Sequence, residues 1–123
     1  MGLGHMASVN NRVQLRGVNE LIKILNPGPV NDAVKVVVQE HGAQLQRRAH
    51  RTAPKDTGEL RRSIRLEIKE SGLTAQVSAT VPYAKYVEFG TRKMAARPFM
   101  KNSLQHQGVK FVRDIGRVLD ALG

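Results

Sequence analysis

Residues 61–81, RRSIRLEIKESGLTAQVSATV, decide the fold. Ile64, Leu66 and Ile68 alternate with Arg65, Glu67 and Lys69, and Leu73, Ala75, Val77, Ala79 and Val81 alternate with Thr74, Gln76, Ser78 and Thr80. A period of two sends successive side chains to opposite sides, so both runs are predicted strands with one buried face each. Glu70-Ser71-Gly72 has turn chemistry and predicts a hairpin between them.

On either side the period changes. Upstream, RVQLRG (12–17) alternates Val13 and Leu15 with polar residues and reads as a short strand, and VNELIKIL (18–25) reads as a helix stopped by Asn26-Pro27-Gly28-Pro29. A long helix is expected from Asn31 as N-cap, with Asp32 in its first turn. Val34, Val37, Val38, His41, Leu45 and Ala49 lie on one face, and Thr52-Ala53-Pro54 ends it. Lys55-Asp56-Thr57-Gly58 is a turn in which Asp56 or Thr57 can cap a helical turn at 59–62. A last helix runs from about Pro98 to Leu122 with Leu104, Phe111, Val112, Ile115, Leu119 and Leu122 as its apolar stripe. The expected fold is α+β: a short antiparallel β-sheet packed on one face by a long central helix and a C-terminal helix. Residues 1–5, with His5, read as a leader left by an expression vector, and 6–123 as a single domain.

Composition narrows the chemistry. There is no cysteine, which excludes disulfides, thiolate metal sites and cysteine nucleophiles. No apolar run approaches the length of a bilayer span, so no membrane partner is expected. The net charge is +10, from 20 Lys and Arg against 10 Asp and Glu. Seven basic residues lie between Arg47 and Arg65 (Arg47, Arg48, Arg51, Lys55, Arg61, Arg62, Arg65) against Asp56 and Glu59, and another seven between Arg92 and Arg117 against Asp114. Two readings of these clusters stand side by side: solvated faces, or patches that meet a polyanion. The first cluster lacks aromatics for base stacking, so reading of base sequence is not expected.

No constellation for catalysis emerges. His41 sits in an apolar stripe, His50 is nine positions on rather than four, and His106 stands apart, so each reads as structural. Carboxylates are scattered singly, and no phosphate-cradling loop or serine elbow appears. Glu88, between Val87 and Phe89, is the one candidate general base, and a salt bridge to an arginine is its alternative role. The expectation is a non-enzyme without metal or cofactor.

Two segments carry a resemblance. APKDTGELRRSI (53–64) and YAKYVEFGTRKMAARPFM (83–100), separated by the hairpin, match in order and spacing the pattern A-P-x-D-T-G-x-L-R-x-S-I, hairpin, Y-A-x-Y-V-E-F-G-T, variable residues, A-R-P-F-M. The chain thereby resembles the tail-component family of long-tailed phages and prophages whose type member is gene product ten of phage Hong Kong 97. KNS follows Met100 where many members have a second proline and alanine. The resemblance implies a structural virion protein, a tail-completion or head-tail joining subunit that assembles as a ring, commonly of six copies, between head connector and tail tube. Its expected place is the virion neck, and the host cytoplasm during assembly. The competing reading is a free-standing basic nucleic-acid-binding protein.

Within that role the residues sort into three groups. Tyr83, Tyr86, Glu88, Phe89, Arg92, Met94, Arg97, Phe99 and Met100 are candidates for contact with a neighbouring subunit or partner; the aromatics have the core as their alternative. Gly58, Gly90 and Pro98 redirect the chain. Arg47, Arg48, Arg51, Arg61, Arg62 and Arg65 either present charge weakly to passing DNA or pair with acidic patches on partners. Residues 91–96, polar and basic, are expected to stay disordered until a partner docks.

Overall fold

The computed structural model describes residues 5–9, 12–17, 29–54 and 58–122. In chain order it has strands β1 (His5–Val9) and β2 (Arg12–Arg16), helix α1 (Pro29–Thr52), a single turn α2 (Glu59–Arg62) and strand β3 (Ile64–Lys69). A 3-10 turn (Glu70–Gly72), strand β4 (Thr74–Ala79), helix α3 (Ala84–Phe89) and helix α4 (Phe99–Leu122) complete it. The four strands form one antiparallel sheet in the order β1-β2-β4-β3. The α+β expectation holds, with α1 and α4 on one face of the sheet. The helix expected over 18–25 and the caps expected at Asp56 or Thr57 lie outside the described residues.

Register explains the core. Val13 pairs with Val77 and Val77 with Leu66, while Leu15 pairs with Ala75 and Ala75 with Ile68, so these side chains share one face. Of these, Val13, Leu15, Ala75 and Val77 form one core cluster with Val34, Val38 and Leu45 of α1 and Phe111 and Ile115 of α4, all fully buried, and Leu66 packs against it. Each strand of the hairpin was expected to bury one face. Instead β4 is buried along its whole length while β3 is mostly exposed, with Ile68 41% accessible. The cause is position: β4 lies between β2 and β3, and β3 is an edge. On the opposite face Gln14 donates to Gln76 Oε1 at 2.6 Å, and Arg12 and Arg65 flank Ser78.

Helix α1 begins at Pro29 rather than being capped by Asn31, because proline's fixed φ suits the first helical position, where no N–H is needed. Its buried face follows the expected positions and adds Gly42. A Cβ at Gly42 would lie 2.7 Å from the Cβ of Ala75 and 3.2 Å from Leu66 Cδ1, so the absent side chain sets how closely α1 approaches the sheet. Gly42→Leu is therefore expected to destabilise the fold by about 2–3 kcal/mol through overpacking, read as a lowered urea midpoint.

A polar layer joins α1 to α4. His41 Nε2 lies 2.7 Å from Asp114 Oδ2, and Gln107 Nε2 lies 2.6 Å from His41 Nδ1 and donates to Gln44 Oε1 at 2.8 Å. With the Gln107 amide donating to Nδ1, the imidazole carries its proton on Nε2 and donates it to Asp114. The His41 ring also stands edge-on to Phe111, with centroids 5.6 Å apart. Gln107 is 1% exposed and takes the place between Leu104 and Phe111 that the apolar stripe skipped. Val112, assigned to that stripe, is instead 38% exposed, since the helix turns Phe111 and Ile115 inward. Leu122's side chain lies outside the described residues.

The His41 hydrogen bond holds the Asp114 carboxyl below the usual carboxylate range, against the opposing effect of partial burial, and nearby Arg113 lowers it further. A depressed carboxylate stabilises the fold above its unfolded pKa, and that contribution is lost as pH falls through the folded value. Asp114→Asn should therefore be less stable than the natural chain at pH 7, and the gap should close as pH falls below about 4. Urea titrations at pH 7 and pH 3 check this.

Candidate functional site

The stretch from Tyr83 to Met100 joins the sheet to the last helix, and its geometry begins with helix α3. Backbone N–H groups of Tyr86 and Val87 donate to Tyr83 O at 3.0 and 3.2 Å, and Gly90 N donates to Tyr86 O at 2.8 Å. Within six residues of helix, Ala84 and Glu88 fall four apart and face inward, fully or nearly fully buried. Tyr83, Tyr86 and Phe89, three apart, then face outward, at 36%, 49% and 59% exposure. Lys85 Nζ lies 5.2 Å from the Tyr86 ring centroid, covering one side of it.

Glu88 has neither role foreseen for it. Its Oε1 accepts from Met100 N at 3.0 Å and its Oε2 from Lys101 N at 2.9 Å. These are free N–H groups of the first turn of a 24-residue helix, where a carboxylate satisfies donors and complements the helix dipole. Both oxygens are thus committed to backbone, and no arginine among the described residues pairs with them. The side chain is 3% exposed, which also removes it from the candidates for partner contact.

The loop between α3 and α4 is closed along its length. Gly90 has φ +79°, and a Cβ there would lie 2.8 Å from Ala96 N and 2.9 Å from Met94 O, so only glycine fits. Thr91 N donates to Met94 O at 2.9 Å, and Arg97 N donates to Val87 O at 2.7 Å. Residues 91–96, expected to be disordered, fold into a hydrogen-bonded turn held by these bonds. Pro98 precedes Phe99, the first residue of α4. Phe99 and Met100 are 3% and 1% exposed and belong to the core, because α4 turns its first residues toward α1; they too drop out of the candidates for partner contact.

What remains outside is Tyr83, Tyr86, Phe89, Arg92, Met94 and Arg97, with Met94 38% exposed. Tyr83, Met94 and Arg97, with Pro54, Leu60 and Val87, line a pocket of about 190 Å3. Phe89 borders a second hollow toward Lys101 and Gln105. These large apolar side chains are exposed together, with Arg97 and Lys101 among the residues that border the two hollows.

The basic cluster of 47–65 does not stay together. Arg47, Arg48 and Arg51 line a groove with Gln44 and Gln107. Arg61 donates to Arg51 O at 3.0 Å and to Ala53 O at 3.4 Å, so it holds the carboxyl-terminal carbonyls of α1. Arg62 lies beside Gly58, which has φ +73° at the N-cap position of α2. Arg65 stands on the open sheet face with Arg12 across Ser78. The sequence reading missed Arg12, which only strand register brings beside the cluster. No group of three or more metal-ligating side chains occurs among the described residues, and no described helix is long and apolar enough to cross a membrane.

The described residues thus form an α+β domain that exposes Tyr83, Tyr86, Phe89 and Met94 together. The chain belongs to the HK97-gp10-like family, described as "Bacteriophage HK97-gp10, putative tail-component", whose model matches residues 20–90, more than half of its 123 residues. That match takes in all of 53–64 and the first part of the second motif, through Gly90. No curated protein and no solved structure matches the chain. Family membership supports a structural role in a phage tail and association with other phage proteins.

Proposed function

We propose that the chain is a tail-completion or head-tail joining subunit that assembles with copies of itself, six in the simplest ring, between the head connector and the tail tube. The observation that carries this reading is the outward row of Tyr83, Tyr86 and Phe89 on a helix whose inner face is anchored by Glu88 to α4. A monomer gains nothing from exposing such a row, whereas a subunit does, because a rigid aromatic surface loses little entropy on docking. Copies carrying +10 each repel one another, so a ring of them calls for acidic partners or passing DNA to offset the charge. The separation of the basic residues into several places suits several weak contacts better than one nucleic-acid groove.

The test is deletion of the gene in its phage followed by complementation. Full heads and finished tails should accumulate unjoined, or tails should vary in length, and the natural chain supplied in trans should restore plaques. Normal virions in the deletion strain would remove the proposal.

A further inference from the structure

Strand β3 closes one end of the sheet order, and among the described residues it has a neighbouring strand on one side only. That neighbour sorts its backbone groups. Thr80 N donates to Ser63 O at 3.2 Å, and these two residues stand opposite each other in the register that continues from Ile64 and Ala79. Hydrogen-bonded pairs alternate along an antiparallel ladder, so Arg65, Glu67 and Lys69 bond to β4 while Ile64, Leu66 and Ile68 turn their N–H and C=O groups away from it. Gln46 Nε2 reaches Ile64 O at 3.4 Å, a long contact that agrees with this sorting.

An outward row of this kind is a template for another strand, and proteins usually blunt it with proline, a bulge or charge. β3 has no proline, and its pairing with β4 runs unbroken from Ile64 to Lys69. Its charges, Arg65, Glu67 and Lys69, alternate in sign and are exposed, and Glu67 meets Lys69 only loosely, at 4.0 Å. This alternation selects one partner and one register. When a second copy of β3 lies antiparallel with Leu66 opposite Leu66, Ile64 faces Ile68 of that copy and Arg65 faces its Glu67, each pair occurring twice about a two-fold axis. Outward backbone groups then meet outward groups, and Ile68, 41% exposed, gains an apolar neighbour. Sliding by two residues sets Arg65 against Arg65 in one direction, and Glu67 against Glu67 with Arg65 against Lys69 in the other. Sliding by four toward Lys69 restores an opposite-charge pair but leaves only the strand ends paired, and a slip of one turns the bonding groups out of reach. Parallel pairing in register sets every charge against itself. The opposite edge of the sheet, β1, offers HMASV, which has no acid to meet Arg65 and no permanent cation to meet Glu67.

We propose that a second copy of this chain docks on β3 through its own β3, antiparallel about a two-fold axis at Leu66, with an Arg65–Glu67 pair on each side of the axis. A two-fold pair closes on itself rather than propagating, so this contact is separate from the one that builds a ring and does not depend on the tail-joining reading.

The test is sedimentation equilibrium of the full chain from about 10 µM to 1 mM, with residue-resolved amide hydrogen exchange at both ends of that range. A monomer–dimer equilibrium is expected, in which the amides of Leu66 and Ile68 slow as concentration rises while those of Arg65 and Glu67 are protected throughout. Glu67→Lys and Arg65→Glu each set like charges opposite and should weaken the dimer roughly tenfold or more, and Arg65→Glu combined with Glu67→Arg should restore it to within about threefold. Across β4 these two positions face Ser78 and Gln76, so the monomer should tolerate all three changes. Thermal melts identify any variant that fails to fold, in which case the exchange pattern of the unsubstituted chain decides. A chain monomeric throughout the range, a dimer indifferent to the single reversals or not rescued by the exchange of charges, or open-ended association that protects β1 along with β3 would overturn the proposal. A chain that dimerises through Arg65 and Glu67 yet is dispensable for joining heads to tails keeps the β3 contact and loses the neck role. A chain essential for joining whose Leu66 and Ile68 amides exchange freely at every concentration does the reverse.

Discussion

Replacing Tyr86 and Phe89 together with serine should leave the monomer folded and cut incorporation into virions at least thirtyfold. Both side chains are about half or more exposed, and neither belongs to the core cluster, so the melting temperature should shift by no more than a degree or two. Removing two aromatic anchors from an interface costs on the order of 2 kcal/mol or more each, well beyond a thirtyfold loss if the row is buried in the assembly. Quantitative mass spectrometry of purified particles reads incorporation, and calorimetry reads the fold. A large drop in melting temperature would return these residues to the monomer core. Unchanged incorporation would mean that another surface makes the contact.

Glu88→Ala should have the opposite signature, a large loss of stability. The substitution strips the caps from Met100 N and Lys101 N at once and leaves the first of these buried without an acceptor. Loss of a charge-assisted cap with a stranded donor costs about 2–3 kcal/mol. For a domain of this size that corresponds to a fall of roughly 10 °C in melting temperature. Glu88→Gln keeps one carbonyl acceptor and should fall about half as far. Because α3 carries the aromatic row on its other side, Glu88→Ala should also loosen the docking surface, seen as faster amide exchange at Gly90 and Arg97. A Glu88→Ala chain as stable as the natural one would refute the capping role.

Local pattern carried most of the fold. The alternation over 64–79 and the helical spacing of Val34 through Ala49 needed no tertiary knowledge, since burial of one face imposes those periods. What escaped depends on contacts far apart in the chain. Strand β1 runs through HMASV, which has no clear alternation, and only its pairing with β2 reveals it. Gln107 looked like a gap in an apolar stripe because its partners, His41 and Gln44, lie more than sixty residues away. Glu88 could be noticed as a carboxylate in apolar company, but its role follows from the loop that brings α4 back over it.

The candidate site was legible as a motif and illegible as a surface. Tyr83 to Met100 reads as one stretch, yet Tyr86 and Phe89 face out while Glu88, Phe99 and Met100 face in. Helical spacing predicts that Tyr86 and Phe89 share a side, but not which side is inward. In the same way the basic run of 47–65 straddles the end of α1 and the turn at Gly58, so neighbours in sequence end on different faces. Arg61 illustrates the consequence, being occupied with backbone carbonyls rather than offered to a partner.

A cryo-electron-microscopy reconstruction of the virion neck tests the central claim most directly. A ring of this chain should sit between connector and tail tube, with Tyr86 and Phe89 of each copy enclosed by the next subunit or by an adjoining protein. Density for the chain elsewhere in the particle, or a ring in which the α3 aromatics face solvent, would contradict it.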